Sequence, residues 1–244
     1  MSAREIDVQV LIAETDKLYD RIVQKAPDKT KLALTAQKII EERQWKESLP
    51  LYRDRLEKTI MQLGYFYVPR NMQPGPAFVF PMKSADGKYI RAQTKPLAGS
   101  ILAHADAKYR YVGKKDDFIG PVWLGNDRET IERIIKSRQV LVVEGPFDLL
   151  ACRLMAPDCP ILSPVSKTLG KEHMIYLSIL GVKRLRMMMD NDEAGKRAIY
   201  GLKRGYNRGI RIEAVQCPAH DPSDALMFWT RARQLREVIL GGFK

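Results

Sequence analysis

A chain of 244 residues holds one large domain or two small ones, with ample material for a core. Its hydrophobic fraction of 45% argues against wholesale disorder, and its net charge of +12 suggests a polyanionic partner, although basic proteins without one are also common. Cys152, Cys159 and Cys217 form no C-x-x-C pair, which argues against a structural zinc site, and such sparse thiols fit a reducing compartment. The charged N-terminus has no apolar leader core, and no uncharged run approaches a membrane span, so the expectation is a cytoplasmic protein without a membrane partner.

Residues 2–46 read as helical. Val8, Leu11, Ile12, Leu18, Ile22 and Val23 recur at helical spacing, Pro27-Asp28 breaks the pattern, and Lys29 to Trp45 forms a second helix. No chemistry is visible there, and packing or docking of a partner protein is the expected role. A further helix runs from Leu51 to Leu63 and stops at Gly64. After Pro74-Gly75-Pro76, the strand Ala77 to Met82 and the strand Lys88 to Gln93 flank an Asp86-Gly87 hairpin turn, and the second strand carries Arg91. Lys108-Tyr109-Arg110-Tyr111-Val112-Gly113-Lys114-Lys115 interleaves cations with aromatic rings, a composition suited to phosphates and stacked bases and equally to a solvated loop.

From Glu129 onward β and α signals alternate. Strands are expected at 140–143, 160–165, 184–189 and 210–216. Helices are expected at 129–137, 147–155, 171–180, 193–206 and, as one continuous element, 223–240. Such alternation predicts a four-stranded parallel, doubly wound sheet. Two of its strands stop at carboxylates: Val140-Leu141-Val142-Val143 at Glu144-Gly145-Pro146-Phe147-Asp148, and Arg186-Met187-Met188-Met189 at Asp190-Asn191-Asp192. The carboxyl edge of such a sheet is where open α/β folds place their sites. Carboxylates gathered there repel unless a cation neutralises them, and hard oxygen donors suit Mg²⁺. Taken one at a time, Glu144 and Asp192 could equally cap the helices that follow them.

The paired motifs E-G-x-x-D and D-x-D, each after an apolar strand, resemble the TOPRIM domain of bacterial-type primases, topoisomerases, some nucleases and recombination proteins. His220-Asp221-Pro222-Ser223-Asp224-Ala225-Leu226 is similar to the K-D-P-x-D/E element of primases, with His220 in place of Lys. Leu51-Tyr52-Arg53-Asp54-Arg55 stands where primases carry Y-L-x-x-R-G-I, and Leu63-Gly64-Tyr65 matches their L-G-Y turn. Lys108-Tyr109 and Trp123-Leu124-Gly125 follow the order of their K-Y-x-N and L-x-G segments. The resemblance spans about residues 49–226, which favours a primase over other TOPRIM proteins.

That resemblance implies four regions: N-terminal helices (1–48), an α+β basic subdomain (49–138), the TOPRIM domain (139–220) and a C-terminal helix packed on it (221–244). It implies primer RNA synthesis on a single-stranded DNA template from ribonucleoside triphosphates, with Mg²⁺ or Mn²⁺. Glu144, Asp190 and Asp192 are the expected catalytic residues. Together with Asp148 they are the expected metal ligands, and Asp221 and Asp224 support the site. Arg91, Lys108, Arg110, Lys114, Lys115, Lys167, Lys196 and Arg197 are the expected nucleotide or nucleic-acid contacts. The resemblance also implies a replicative helicase or other replisome partner, in a bacterial or phage-infected cell. No zinc-binding template reader and no helicase is expected within the chain, so a partner would supply these. A TOPRIM nuclease and a non-catalytic nucleic-acid-binding replication accessory are the alternatives.

Overall fold

The computed structural model describes residues 29–47, 52–71, 75–83, 89–100, 109–112, 121–164, 166, 168–205 and 209–243. Two four-stranded sheets organise them. The first is antiparallel, with β1 (Phe66–Val68), β2 (Ala77–Lys83), β3 (Tyr89–Pro96) and β4 (Arg110–Val112) side by side in chain order. Strand alternation divides β2. Phe78, Phe80 and Met82 enter the large core, whereas Val79 joins Val68 and Ala92 in a small cluster. Opposite them in register are Lys95, Gln93 and Arg91, which therefore share the face of Phe78, Phe80 and Met82.

The second sheet is parallel, with β5 (Gln139–Val143), β6 (Ile161–Leu162), β7 (Arg184–Met188) and β8 (Arg211–Ala214) in the spatial order β6-β5-β7-β8. Leu141 and Val143 face one core, and Val140 and Val142 face the other. A run buried on both sides is what a covered parallel strand requires. On the first face lie α4 (Pro146–Met155) and α8 (Trp229–Gly241). On the second lie α3 (Arg128–Ser137), α5 (Lys171–Ile179) and α6 (Glu193–Gly205). The predicted parallel, doubly wound arrangement is present.

One core joins the two sheets. It contains Leu32 and Ile39 of α1 (Lys29–Arg43), Trp45, Leu56 and Ile60 of α2 (Arg53–Leu63), Phe78 and Phe80 of β2, Phe147 of α4, and Leu235 and Ile239 of α8. Phe147 meets Phe78 and Phe80 edge-on, with ring centroids 5.5 and 5.2 Å apart. Fully burying each such ring contributes about 1.5–3 kcal/mol. The segment Trp123-Leu124 hydrogen-bonds to both sheets: Trp123 exchanges backbone bonds with Lys83 (3.0 Å each way), and Leu124 does so with Ser163 (2.8 and 3.2 Å).

Several expected elements differ from those observed. Among the described residues, the strand expected at 160–165 is reduced to Ile161–Leu162, and the one at 210–216 to Arg211–Ala214. β1 and β4, too short for a period-two pattern, were not anticipated. The single helix expected at 223–240 is two, α7 (Pro222–Ala225) and α8. Asp221 caps α7, accepting from the Asp224 N–H at 2.6 Å, and Phe228 then adopts an extended backbone (φ −127°, ψ 133°) that ends the helical path. The first expected helix and the Asp86-Gly87 turn lie outside the described residues.

Candidate active site

Glu144 follows β5 directly, and Asp190 lies just beyond β7, so both sit at the carboxyl edge of the parallel sheet. The edge is fastened from below and across. Ser163 Oγ, at the end of β6, donates to the Glu144 carbonyl (2.9 Å), and the Asn191 N–H donates to the His220 carbonyl (2.8 Å). This last bond ties the D-x-D loop to the His220-Asp221-Pro222-Ser223-Asp224 loop. Glu144 Oε2 and Asp190 Oδ1 are sealed from solvent.

Asp148 is the centre of that fastening. From the first turn of α4, its Oδ2 accepts the Gly145 N–H (2.9 Å), and its Oδ1 accepts the Ser223 N–H (3.3 Å). Burial pushes its pKa up to about 8, with the nearby Asp221 and Asp190 charges adding and Arg43 opposing. Asp192 caps α6, its Oδ1 accepting the Gly195 N–H at 2.7 Å. Gly195 has a second reason to be glycine, because a Cβ there would overlap the Asp190 carbonyl oxygen. His220, Asp221 and Asp224 bring one ligand atom each within 4.8 Å of one another, a spacing that suits a shared cation.

Arg43, not anticipated from the sequence, faces this cluster, and Lys95, also not anticipated, shares the Phe147 ring with it. Arg43, at the end of α1, donates to Ser223 Oγ (2.6 Å) and Asp224 Oδ1 (2.9 Å), and lies 3.7 Å from Asp221 Oδ1. Trp45 adds a bond from its Nε1 to the Ser223 carbonyl (2.8 Å). Lys95 of β3 pairs with Glu42. The Arg43 and Lys95 charges lie 5.4 and 5.5 Å from the centroid of the Phe147 ring, close enough for cation–π attraction. The pattern Y-L-x-x-R-G-I, assigned above to Leu51–Arg55, fits Ile39-Ile40-Glu41-Glu42-Arg43-Gln44-Trp45 better. Gln44 has φ +54°, the left-handed conformation a glycine would hold at that place, whereas Arg55 is exposed on α2. The L-G-Y turn is where it was expected: Gly64 is left-handed (φ 69°), and the buried Tyr65 donates its hydroxyl to the Pro146 carbonyl (3.3 Å).

The expected nucleic-acid contacts divide. Arg91 is half-buried on the Phe80 face of β3, the face that packs toward α4. Tyr109 packs against the core beside Phe80, and burial first, then the Asp148 charge, raises its phenol pKa. Arg110 begins β4. Lys108, Lys114, Lys115 and Lys167 lie outside the described residues. Lys196 and Arg197 are on the exposed side of α6, where Lys196 pairs with Glu193 at 2.8 Å.

Residues 141–226 match a family described as Toprim-like. The DNA primase of Deinococcus radiodurans is 31% identical over 106 residues, a segment covering 43% of this chain and 18% of that protein's length. The RNA polymerase domain of Mycobacterium tuberculosis primase DnaG, solved with a double-stranded DNA oligomer bearing a 6-nucleotide overhang, superposes with a TM-score of 0.65 at 18% identity. The match covers 98% of this chain and 81% of that one. The zinc-binding and RNA polymerase domains of Aquifex aeolicus primase give a TM-score of 0.60 at 17% identity, covering 96% and 70%. The chain therefore carries a Toprim-like domain and has the fold of the RNA polymerase domains of bacterial-type DNA primases.

Proposed function

We infer that the chain is a DNA primase core that joins ribonucleotides on a single-stranded DNA template, with Mg²⁺ or Mn²⁺ as its cation. The carrying observation is the convergence of Glu144 and Asp190 at the sheet edge with Asp221 and Asp224 on the loop bonded to it, where Arg43 pairs with Asp224. The carboxylates are hard oxygen donors, as that cation requires. Glu144, Asp190 and Asp192 would hold it, with Asp221 and Asp224 on the far side. When bound, it would neutralise phosphate charge during nucleotidyl transfer. Asp148, whose two oxygens already accept backbone N–H groups, positions the loops around it.

The remaining work belongs to side chains. Glu144 would take the proton of the attacking hydroxyl as general base. Arg91, Lys95 and Arg43 would orient triphosphate or template phosphates. Lys108, Arg110, Lys114, Lys115 and Lys167 would extend that contact, and Lys196 and Arg197 would reach the strand from α6. Among the described residues no helix is long and apolar enough to cross a membrane. A replicative helicase would be the partner, in the cytoplasm.

The test is incubation of single-stranded DNA, labelled ribonucleotides and Mg²⁺ or Mn²⁺ with wild type and Asp190→Ala. Short RNA from wild type, none from the variant and none after chelation is the expected result. Cleaved template without RNA, also dependent on Asp190, would replace this reading with the nuclease. Binding with neither activity would replace it with the accessory.

A further inference from the structure

The break between α7 and α8 turns two large aromatic side chains outward. Phe228 is 43% exposed and Trp229 is 41% exposed, side by side in sequence. Both are held rather than loose. The guanidinium of Arg231 lies 5.1 Å from the Phe228 ring centroid, and Trp229 packs against the buried ring of Tyr52 at 6.1 Å. α8 buries Ala232, Leu235 and Ile239 on its underside. Its flank beginning at Trp229 continues, at helical spacing, to Arg233 and Arg236, both exposed, over about 10 Å. Arg233 pairs only at the surface, with Glu237 at 3.2 Å. Three arginines against one glutamate make this helix cationic. Phe228 follows Asp224 by four residues, so their Cα atoms lie at most about 14 Å apart.

We propose that Phe228, Trp229 and the arginines of α8 form a platform for a single-stranded polynucleotide entering or leaving the acidic site. Its bases stack on the two rings, and its phosphates follow Arg233 and Arg236 along the Trp229 flank, while Arg231 braces the Phe228 ring. Stacking on exposed rings together with nearby guanidinium groups is how proteins hold single strands without reading sequence. An exposed aromatic pair on a helix that otherwise carries positive charge suits that ligand, and the overall charge of +12 complements it. The platform rests on the primase reading, because it supplies a strand to that site.

The test uses the full chain and an oligothymidylate, without magnesium. Trp45 and Trp123 are 0% exposed, so a change in tryptophan emission on binding reports Trp229. Saturable quenching is expected, weakening as salt is raised. In anisotropy titrations with labelled oligomer, Phe228→Ala and Trp229→Ala should each weaken binding roughly tenfold, while Trp229→Phe retains most of it. Arg233→Gln and Arg236→Gln should each weaken binding and flatten the salt dependence. Circular dichroism confirms that each variant is folded. Oligomer binding without quenching, or with affinity unchanged in both alanine variants, overturns the platform, as it would if these rings instead dock a protein. The two readings fail separately. Quenching without primer synthesis rejects the primase and keeps the platform. Synthesis with unchanged oligomer affinity in the variants rejects the platform alone.

Discussion

Gly195 is wedged between the end of β7 and the first turn of α6, and the Asp190 carbonyl oxygen occupies the space a Cβ would need. Gly195→Ala should therefore push the helix from the strand and carry Asp190 with it. Overpacking of this kind costs about 1–3 kcal/mol, a fall in Tm of roughly 2–12 °C at this chain length. A calorimetric scan checks the stability; an unchanged Tm would show that the helix yields freely. The carboxylates were legible because a buried apolar strand that stops at an acid is a strong local pattern. Their division of labour was not, since capping and chelation call for the same residue types. Asp148 and Asp192 do cap helices, whatever else they do. Arg43 escaped notice because the residue after it is Gln44, which hides the left-handed turn that a glycine would have announced.

The helices of this fold are secured by single side chains reaching their ends. His173 reaches back from α5 to accept the Gly170 N–H on Nδ1 (3.2 Å), while Nε2 faces the Val122 carbonyl (3.4 Å). Burial lowers its pKa, against the opposing effects of that carbonyl and of Glu172. Protonation would put a second hydrogen opposite the Gly170 N–H. The folded-state pKa lies below the unfolded value of about 6.5, so the contribution is complete above that pH and is lost as pH falls through the folded pKa. His173→Gln should flatten the decline in Tm between pH 7.5 and 5; parallel declines would refute this. At the other end of the sheet, buried Arg186 donates to the carbonyls of Val238 and Ile239 (2.9 Å each) at the end of α8, and a Cβ at Gly242 would overlap its guanidinium. Gly242→Ala should thus cost about 2 kcal/mol in wild type but little in an Arg186→Met background, a coupling that denaturant melts of the four proteins can measure. At this scale the sequence reading succeeded where periodicity runs long, as in β5, β7 and their helices. It failed where a tertiary contact overrides it: nothing local marks β1 and β4, and the break at Phe228 follows from the Asp221 cap and the seat of Trp229 on Tyr52.

The two sheets are not independent units. A shared core runs from Leu32 to Ile239, and Trp123-Leu124 is hydrogen-bonded to both sheets. Unfolding should accordingly be a single transition, with tryptophan emission and far-ultraviolet dichroism coincident in urea; an earlier loss of one signal would mean that the antiparallel sheet melts alone. The fold class was legible from alternation along the chain. The interlock was not, because it depends on residues distant in sequence. The contact of Trp45 with Ser223 spans 178 positions. At a synthesis rate of about 5–20 residues per second, the indole would wait roughly 9–36 s on the ribosome before its partner emerges. Throughout that interval the nascent chain carries an uncovered tryptophan two residues past the end of α1. The growing polypeptide is therefore a natural client for chaperones, and fragments ending before Pro222 should be sticky, protease-sensitive and slow to leave them.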